Sequence, residues 1–130
     1  MLILTLRTDK PQAEIGLYQD TVQLAYETWE AHRQLAETLH GKIDGLLKQH
    51  GKSLQDIEGI ACYQGPGSFT GLRIGLSTAN AFAYSLNVPI CGAMNEDWLL
   101  SSLNELTAGK GQKVILPEYG SPVHITAPRQ

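Results

Sequence analysis

Hydrophobic and polar positions change period along this chain, and each change marks an element. Leu2, Leu4 and Leu6 alternate with Ile3, Thr5 and Arg7, the period-two pattern of a strand with at least one buried face. Thr8 to Gln12 (TDKPQ) carries turn chemistry, with Pro11 barred from a ladder interior. A second strand is predicted through Ala13, Ile15 and Leu17, and Gln19-Asp20 makes a short hairpin into Val22, Leu24, Tyr26 and Thr28. From Ala31 to Gln49 the period is helical, with Leu35, Leu39, Ile43, Leu46 and Leu47 on one face and Arg33, Glu37 and Lys48 outside. His50-Gly51 closes that helix where helices commonly stop. Ser53 to Asp56 then turns the chain into the apolar run Ile57 to Tyr63, a central strand that feeds a glycine-rich segment.

That segment, Gly65 to Leu86, reads GPGSFTGLRIGLSTANAFAYSL. Gly65-Pro66-Gly67 predicts a turn, because glycine favours positive φ and proline removes a donor. Ser68 stands at an N-cap position, its hydroxyl placed to accept from an amide one turn on, and the next proline is Pro89. One helix is therefore expected over Ser68 to Leu86. Inside a helix glycine costs about 1 kcal/mol relative to alanine, so Gly71 and Gly75 need a reason. Gly67, Gly71, Gly75, Ala79 and Ala83 recur every fourth residue and form one nearly bare ridge, which lets a second backbone approach closely. Two readings follow. The ridge lies on the chain's own sheet, in which case Gly75→Leu unfolds the domain; or it receives a helix of another chain, in which case the domain folds and association fails.

Beyond Leu86, Val88 to Gly92 reads as a short strand, Glu96 to Leu106 as a modest amphipathic helix ended by Ala108-Gly109-Lys110-Gly111, and Lys113 to Leu116 as one more short strand. No regular structure is expected from Pro117 onward outside Pro122 to Thr126. The 130 residues, 42% hydrophobic, suffice for one core and not for two ordinary domains. No apolar run reaches the roughly 18 residues that span a bilayer, and MLILTLRTDK lacks the features of a signal peptide, so the cytoplasm is the expected compartment. A net charge of −3 with scattered Lys and Arg argues against direct tRNA binding. Cys62 and Cys91 sit in apolar runs without CxxC spacing and read as buried free thiols.

The run Gly65-Pro66-Gly67-Ser68-Phe69-Thr70-Gly71-Leu72-Arg73-Ile74-Gly75 resembles the signature of the TsaB (YeaZ) family, partners of TsaD in making threonylcarbamoyladenosine on tRNA. The resemblance extends from Met1 to about Asn95, with an echo at Pro117 to Ile125. It implies an α/β fold: a single actin-like ATPase lobe, with a mixed sheet in β-β-β-α-β-α order and helices packed on it. Residues 1–108 are expected to form the lobe and 109–130 a C-terminal strand and extended tail, as if a second lobe had been excised near Glu105 to Lys113. The resemblance further implies a non-catalytic subunit that binds and activates TsaD, and through the complex meets a TsaE-like ATPase. A homodimer is implied when the chain is alone. The two long helices would meet the matching pair on TsaD in a four-helix bundle, with Gly71, Leu72, Gly75, Ala79, Ala83, Leu35 and Leu39 as interface residues.

Catalytic chemistry is hard to find. By alignment on the first strand, the acidic position that helps an actin-like ATPase place its metal is Arg7, which cannot ligand Mg²⁺, and Asp9 falls beyond the strand tip. Gly65, Gly67 and Ser68 open a helix and could present amides to a phosphate, but the segment lacks the Lys-Ser/Thr of a P-loop and the GxGxxG of a dinucleotide fold. His32 and His40 stand roughly 12 Å apart along a helix, too far to share one ion, and read with His50 as solvent-facing. No cofactor and no metal are expected. Arg73 is placed to pair with a carboxylate of a partner or of this chain. Two alternatives to the TsaB-like reading remain: a self-associating structural module, and a phosphate- or ATP-binding protein built on the Gly65 to Gly67 loop.

Overall fold

The computed structural model describes residues 1–118, the side chains of His32 and Phe69 excepted. Strand β1 (Leu2–Arg7) is buried at all six positions, more than alternation demanded, because it lies in mid-sheet with helices packed on both faces. It pairs antiparallel with β2 (Gln12–Gln19) and parallel with β4 (Gly59–Gly65). β3 (Val22–Glu30) pairs antiparallel with β2, and β5 (Ile90–Met94) pairs parallel with β4. The spatial order is β3-β2-β1-β4-β5, one mixed sheet.

Side-chain alternation sorts the sheet into two faces. Leu4, Leu6, Ile15, Leu17, Ile60 and Cys62 join the inner faces of α1 (Leu35–Gln49) and α2 (Phe69–Leu86) in the main core. Ile3, Tyr18 and Ala61 meet Leu103 and Leu106 of α3 (Trp98–Thr107) on the opposite face. The chain order β-β-β-α-β-α-β-α and the mixed sheet are those of the expected actin-like, ribonuclease H-like lobe.

Several expectations need correction. The first helix begins at Leu35 behind a 3-10 turn at His32–Gln34, not at Ala31. The row Val22, Leu24, Tyr26 of β3 faces outward, since Ala25 on the alternate face supplies the buried contact of this edge strand. Ser68 caps α2 through its carbonyl, which accepts from the Leu72 amide at 2.9 Å, and its hydroxyl makes no cap bond. At the other end Asn87 is left-handed (φ 56°) and the Val88 amide closes on Ala83 O at 3.0 Å, so the helix stops there without glycine. Lys113 to Leu116 is not a strand: only Gln112 bridges to Ile90, and the following residues bond to side chains instead. Pro122 to Thr126 and His124 lie outside the described residues.

Candidate functional site

Two places on this lobe concentrate polar atoms: the tip of β1 beneath the glycine loop, and the outer faces of α1 and α2. At the first, the Arg7 guanidinium donates to Asp9, Nε to Oδ1 at 2.8 Å and a terminal nitrogen to Oδ2 at 3.3 Å. It also stacks 4.0 Å from the centroid of the Tyr63 ring. Both charged side chains are nearly buried. Burial by itself pulls the Arg7 pKa down, but the hydrogen bond and the charge of Asp9 outweigh it and hold the guanidinium more firmly protonated than usual. Asp9 is thus neutralised internally, and the cation sits where the resemblance would put a metal-placing carboxylate.

The glycine loop closes over this pair. Gly67 lies directly against the Asp9 side chain, and the Ser68 amide points to Asp9 O at 3.4 Å. Tyr63 donates its hydroxyl proton to Pro66 O at 2.7 Å. The Ser68 amide that an incoming phosphate would need therefore looks onto a backbone carbonyl. Gly67 and Ser68 form a seat for the segment that leaves β1, while Gly65 lies against the Glu118 carbonyl. Among the described residues, no group of three His, Cys, Asp or Glu side chains could hold a metal ion.

The bare ridge of α2 does not face outward, and this corrects the interface expected from sequence. A Cβ on Gly71 would overlap the Thr8 carbonyl oxygen, and one on Gly75 would overlap Thr8 Oγ1. Thr8 Oγ1 fixes that approach by donating to Gly71 O at 2.8 Å. Leu72, Ala79, Ala83, Leu35 and Leu39 are all buried in the main core. The close backbone approach that the ridge permits is made by the chain's own strand exit at Thr8. None of the seven named residues presents a side chain to a partner.

What α1 and α2 do present is the neighbouring stripe. A groove of about 470 Å³ runs between them, lined by Ala36 and His40 of α1 and by Thr70, Arg73, Ile74 and Ser77 of α2. The exposed His40 packs edge-on to Phe82, centroids 5.1 Å apart. Further along, Tyr84 is 88% exposed. The ridge expected to face outward is turned inward, and this other stripe of the two helices is the exposed one. The outward stripe mixes Ala36, Thr70 and Ser77 with His40, Arg73 and Ile74, and such a mixture on a helix looks like ordinary solvated surface.

Cys62 is buried and Cys91 half-buried, both as free thiols. Burial pushes the Cys62 thiol up to about 12, so it is no nucleophile at neutral pH. Among the described residues no helix is long and apolar enough to cross a membrane.

Comparison with known proteins agrees with this architecture. Residues 29–110 match the family model described as TsaD, tRNA N6-adenosine threonylcarbamoyltransferase. The TsaB protein of Escherichia coli, named for tRNA threonylcarbamoyladenosine biosynthesis, is 33% identical over 93 residues, 71% of this chain and 39% of that protein. The tRNA N6-adenosine threonylcarbamoyltransferase of Geotalea uraniireducens is 48% identical over 62 residues, 48% of this chain and 18% of that protein. The structure of YeaZ from Pseudomonas aeruginosa superposes with a TM-score of 0.67 at 26% identity, covering 72% of this chain and 44% of that one. The chain thus spans less than half the length of these relatives. By fold, family match and shared sequence, it belongs to the TsaD-type family, among its TsaB (YeaZ) members.

Proposed function

We propose that this chain is a non-catalytic, TsaB-like subunit that binds a TsaD protein through the outward stripes of α1 and α2 and raises the share of TsaD competent for threonylcarbamoyl transfer to tRNA adenosine. The observation that carries the reading is the groove between Ala36, His40, Thr70, Arg73 and Ser77, set on the two helices beside a rigid, internally filled core. A groove between two neighbouring helices, floored by small residues such as Ala36, Thr70 and Ser77, can accept a further helix at bundle distance. The internal Arg7–Asp9 pair supports the non-catalytic part, because it places a fixed cation at the β1 tip and ties up the adjacent carboxylate. Activation by such a subunit is a population shift, in which the partner conformation that binds better becomes commoner.

Light scattering after size exclusion tests it. Mixed with the TsaD encoded in the same genome, the chain is expected to elute as a complex, and to speed tRNA modification when the remaining synthesis components are supplied. A homodimer of this chain that persists unchanged in the mixture would overturn the proposal.

A further inference from the structure

Residues 112–118 follow α3 as an extended strap that runs to the carboxyl end of the sheet. One bridge ties it to a strand: Gln112 and Ile90 exchange both backbone hydrogen bonds, at 2.9 and 2.8 Å. Beyond that bridge two side-chain amides take over. Asn80 of α2 donates through Nδ2 to Ile115 O at 2.8 Å and accepts through Oδ1 from the Ile115 amide at 3.0 Å. Gln64 of β4 donates through Nε2 to Leu116 O at 2.7 Å, and its backbone carbonyl accepts from the Glu118 amide at 2.8 Å. Gly92 makes room for this arrangement, since a Cβ there would press on both the Ile115 and the Gln64 side chains. Ile115 alone of the strap is buried.

The strap ends against the glycine loop. A Cβ on Gly65 would overlap the Glu118 carbonyl oxygen, and one on Gly67 would overlap the Asp9 side chain. The loop is thus pressed from two sides, by the strap at its first glycine and by the β1 exit at its second. Between them the Pro66 carbonyl accepts from the Tyr63 hydroxyl at 2.7 Å, and the Gly65 carbonyl from the Asn95 amide at 3.3 Å. Pro66, Gly67 and Ser68 are all exposed. Two glycines lose much backbone freedom on ordering, and exposed neighbours offset little of it. The order of the loop therefore comes from what is placed against it.

We infer that residues 112–118 are a clasp: the strap and the glycine loop close and open together, as one cooperative unit less stable than the sheet beneath. A single ladder bridge, one buried side chain and bonds held by side-chain amides mark an element from the low end of the local stability range. Asn80 and Gln64 are its positioning residues. Opening removes the Glu118 carbonyl from Gly65, and the loop that starts α2 keeps only its support at Asp9. The closed clasp in this way fixes the first turn of α2, where Thr70 borders the α1–α2 groove. The device belongs to the lobe itself and does not depend on the partner proposed above.

Native-state hydrogen exchange on the full 130-residue chain, in urea below the unfolding transition, tests it. The Ile115 and Glu118 amides report the strap, and the Ser68 and Asn95 amides report the loop through their bonds to Asp9 O and Gly65 O. Leu4 and Leu6 report the sheet. Strap and loop amides are expected to share one opening equilibrium, about tenfold or more above that of Leu4 and Leu6. Asn80→Ala is expected to raise exchange at all four by about tenfold or more and to leave Leu4 and Leu6 within about twofold. Ile115→Ala, which leaves α2 untouched, is expected to do the same and decides the matter if Asn80→Ala does not fold. The clasp is overturned if a folded variant frees Ile115 and Glu118 while Ser68 and Asn95 keep their parent rates. It is equally overturned if the parent Ile115 amide exchanges like an unstructured peptide, if the strap opens only together with Leu4 and Leu6, or if both variants unfold outright.

Discussion

Helix α2 has two unlike faces, one nearly bare of side chains and sealed, the other bearing larger and polar side chains around an open groove. On one, Gly71, Gly75 and Ala79 are small because Thr8 and the main core press against them. On the other, Thr70, Arg73, Ile74 and Ser77 border an open groove. A stripe without side chains is therefore ambiguous. It records that something comes close, and only the location of the sheet says whether that something belongs to the same chain. Here the close neighbour is the exit of β1, and the open groove lies on the side of the helix that carries Ser77.

The largest effect separating the faces should come from Gly75→Leu. Four side-chain carbons would have to enter space held by Thr8 Oγ1 and its hydrogen bond to Gly71 O. Overpacking of this kind against a buried, hydrogen-bonded side chain costs about 3 kcal/mol. Urea denaturation of the lone chain should show that loss. An unchanged midpoint would mean the ridge is open after all.

The dryness of the inner face can be read by pH. Cys62 lies in the same core as Leu72 and Leu76, and burial raises its pKa from 9.0 to about 12. The folded state thus holds the thiol proton more tightly than the unfolded state. The resulting stability is intact below the unfolded pKa and drains away as pH climbs from about 9 to about 12, at up to about 1.4 kcal/mol per pH unit. Cys62→Ala should flatten the alkaline limb of the stability profile over that window. Equal slopes for the two proteins would show that water reaches the thiol. Native-state alkylation offers a second readout, with Cys62 modified only on unfolding.

On the outer face, Tyr84→Ala removes a side chain that is 88% exposed. Stability should change by no more than about 0.5 kcal/mol, whereas affinity for TsaD should fall by about 2 kcal/mol if Tyr84 anchors the interface. Calorimetric titration beside a melting curve distinguishes the two. A Tyr84→Ala protein that melts early but binds normally would reverse the assignment of faces.

Much of this was legible in the chain because it rests on local periodicity. The alternation of Leu2, Leu4 and Leu6, the helical spacing of Leu35 to Leu47, and the turn chemistry of Gly65 to Gly67 each fall where the strand, helix and loop are found. What could not be read was set by long-range placement. Thr8 meets Gly71 across 63 positions of sequence, and nothing near either residue announces the other. The same holds for Asn80, whose amide finds Ile115 thirty-five residues away and prevents the expected strand at Lys113 to Leu116. Arg7 showed its charge in the sequence, but that Asp9 would neutralise it beneath Gly67 depended on how the loop folds back.

The smallest predicted change is also the most direct comparison, since it places the same side chain two residues along the same helix. Ser77 is exposed on α2 and lines both outer grooves. Leucine has the better helix propensity and meets no backbone there, so Ser77→Leu should leave the lone chain as stable as the parent or more stable by about 0.3 kcal/mol. It also fills the α1–α2 groove that the proposed partner would use, so affinity for TsaD should drop even as the melting temperature holds. Leucine at 75 and leucine at 77 should then give opposite signatures, one lost in folding and one lost only in binding. If both positions lower stability alike, α2 has no free face, and the partner must be sought elsewhere on the lobe.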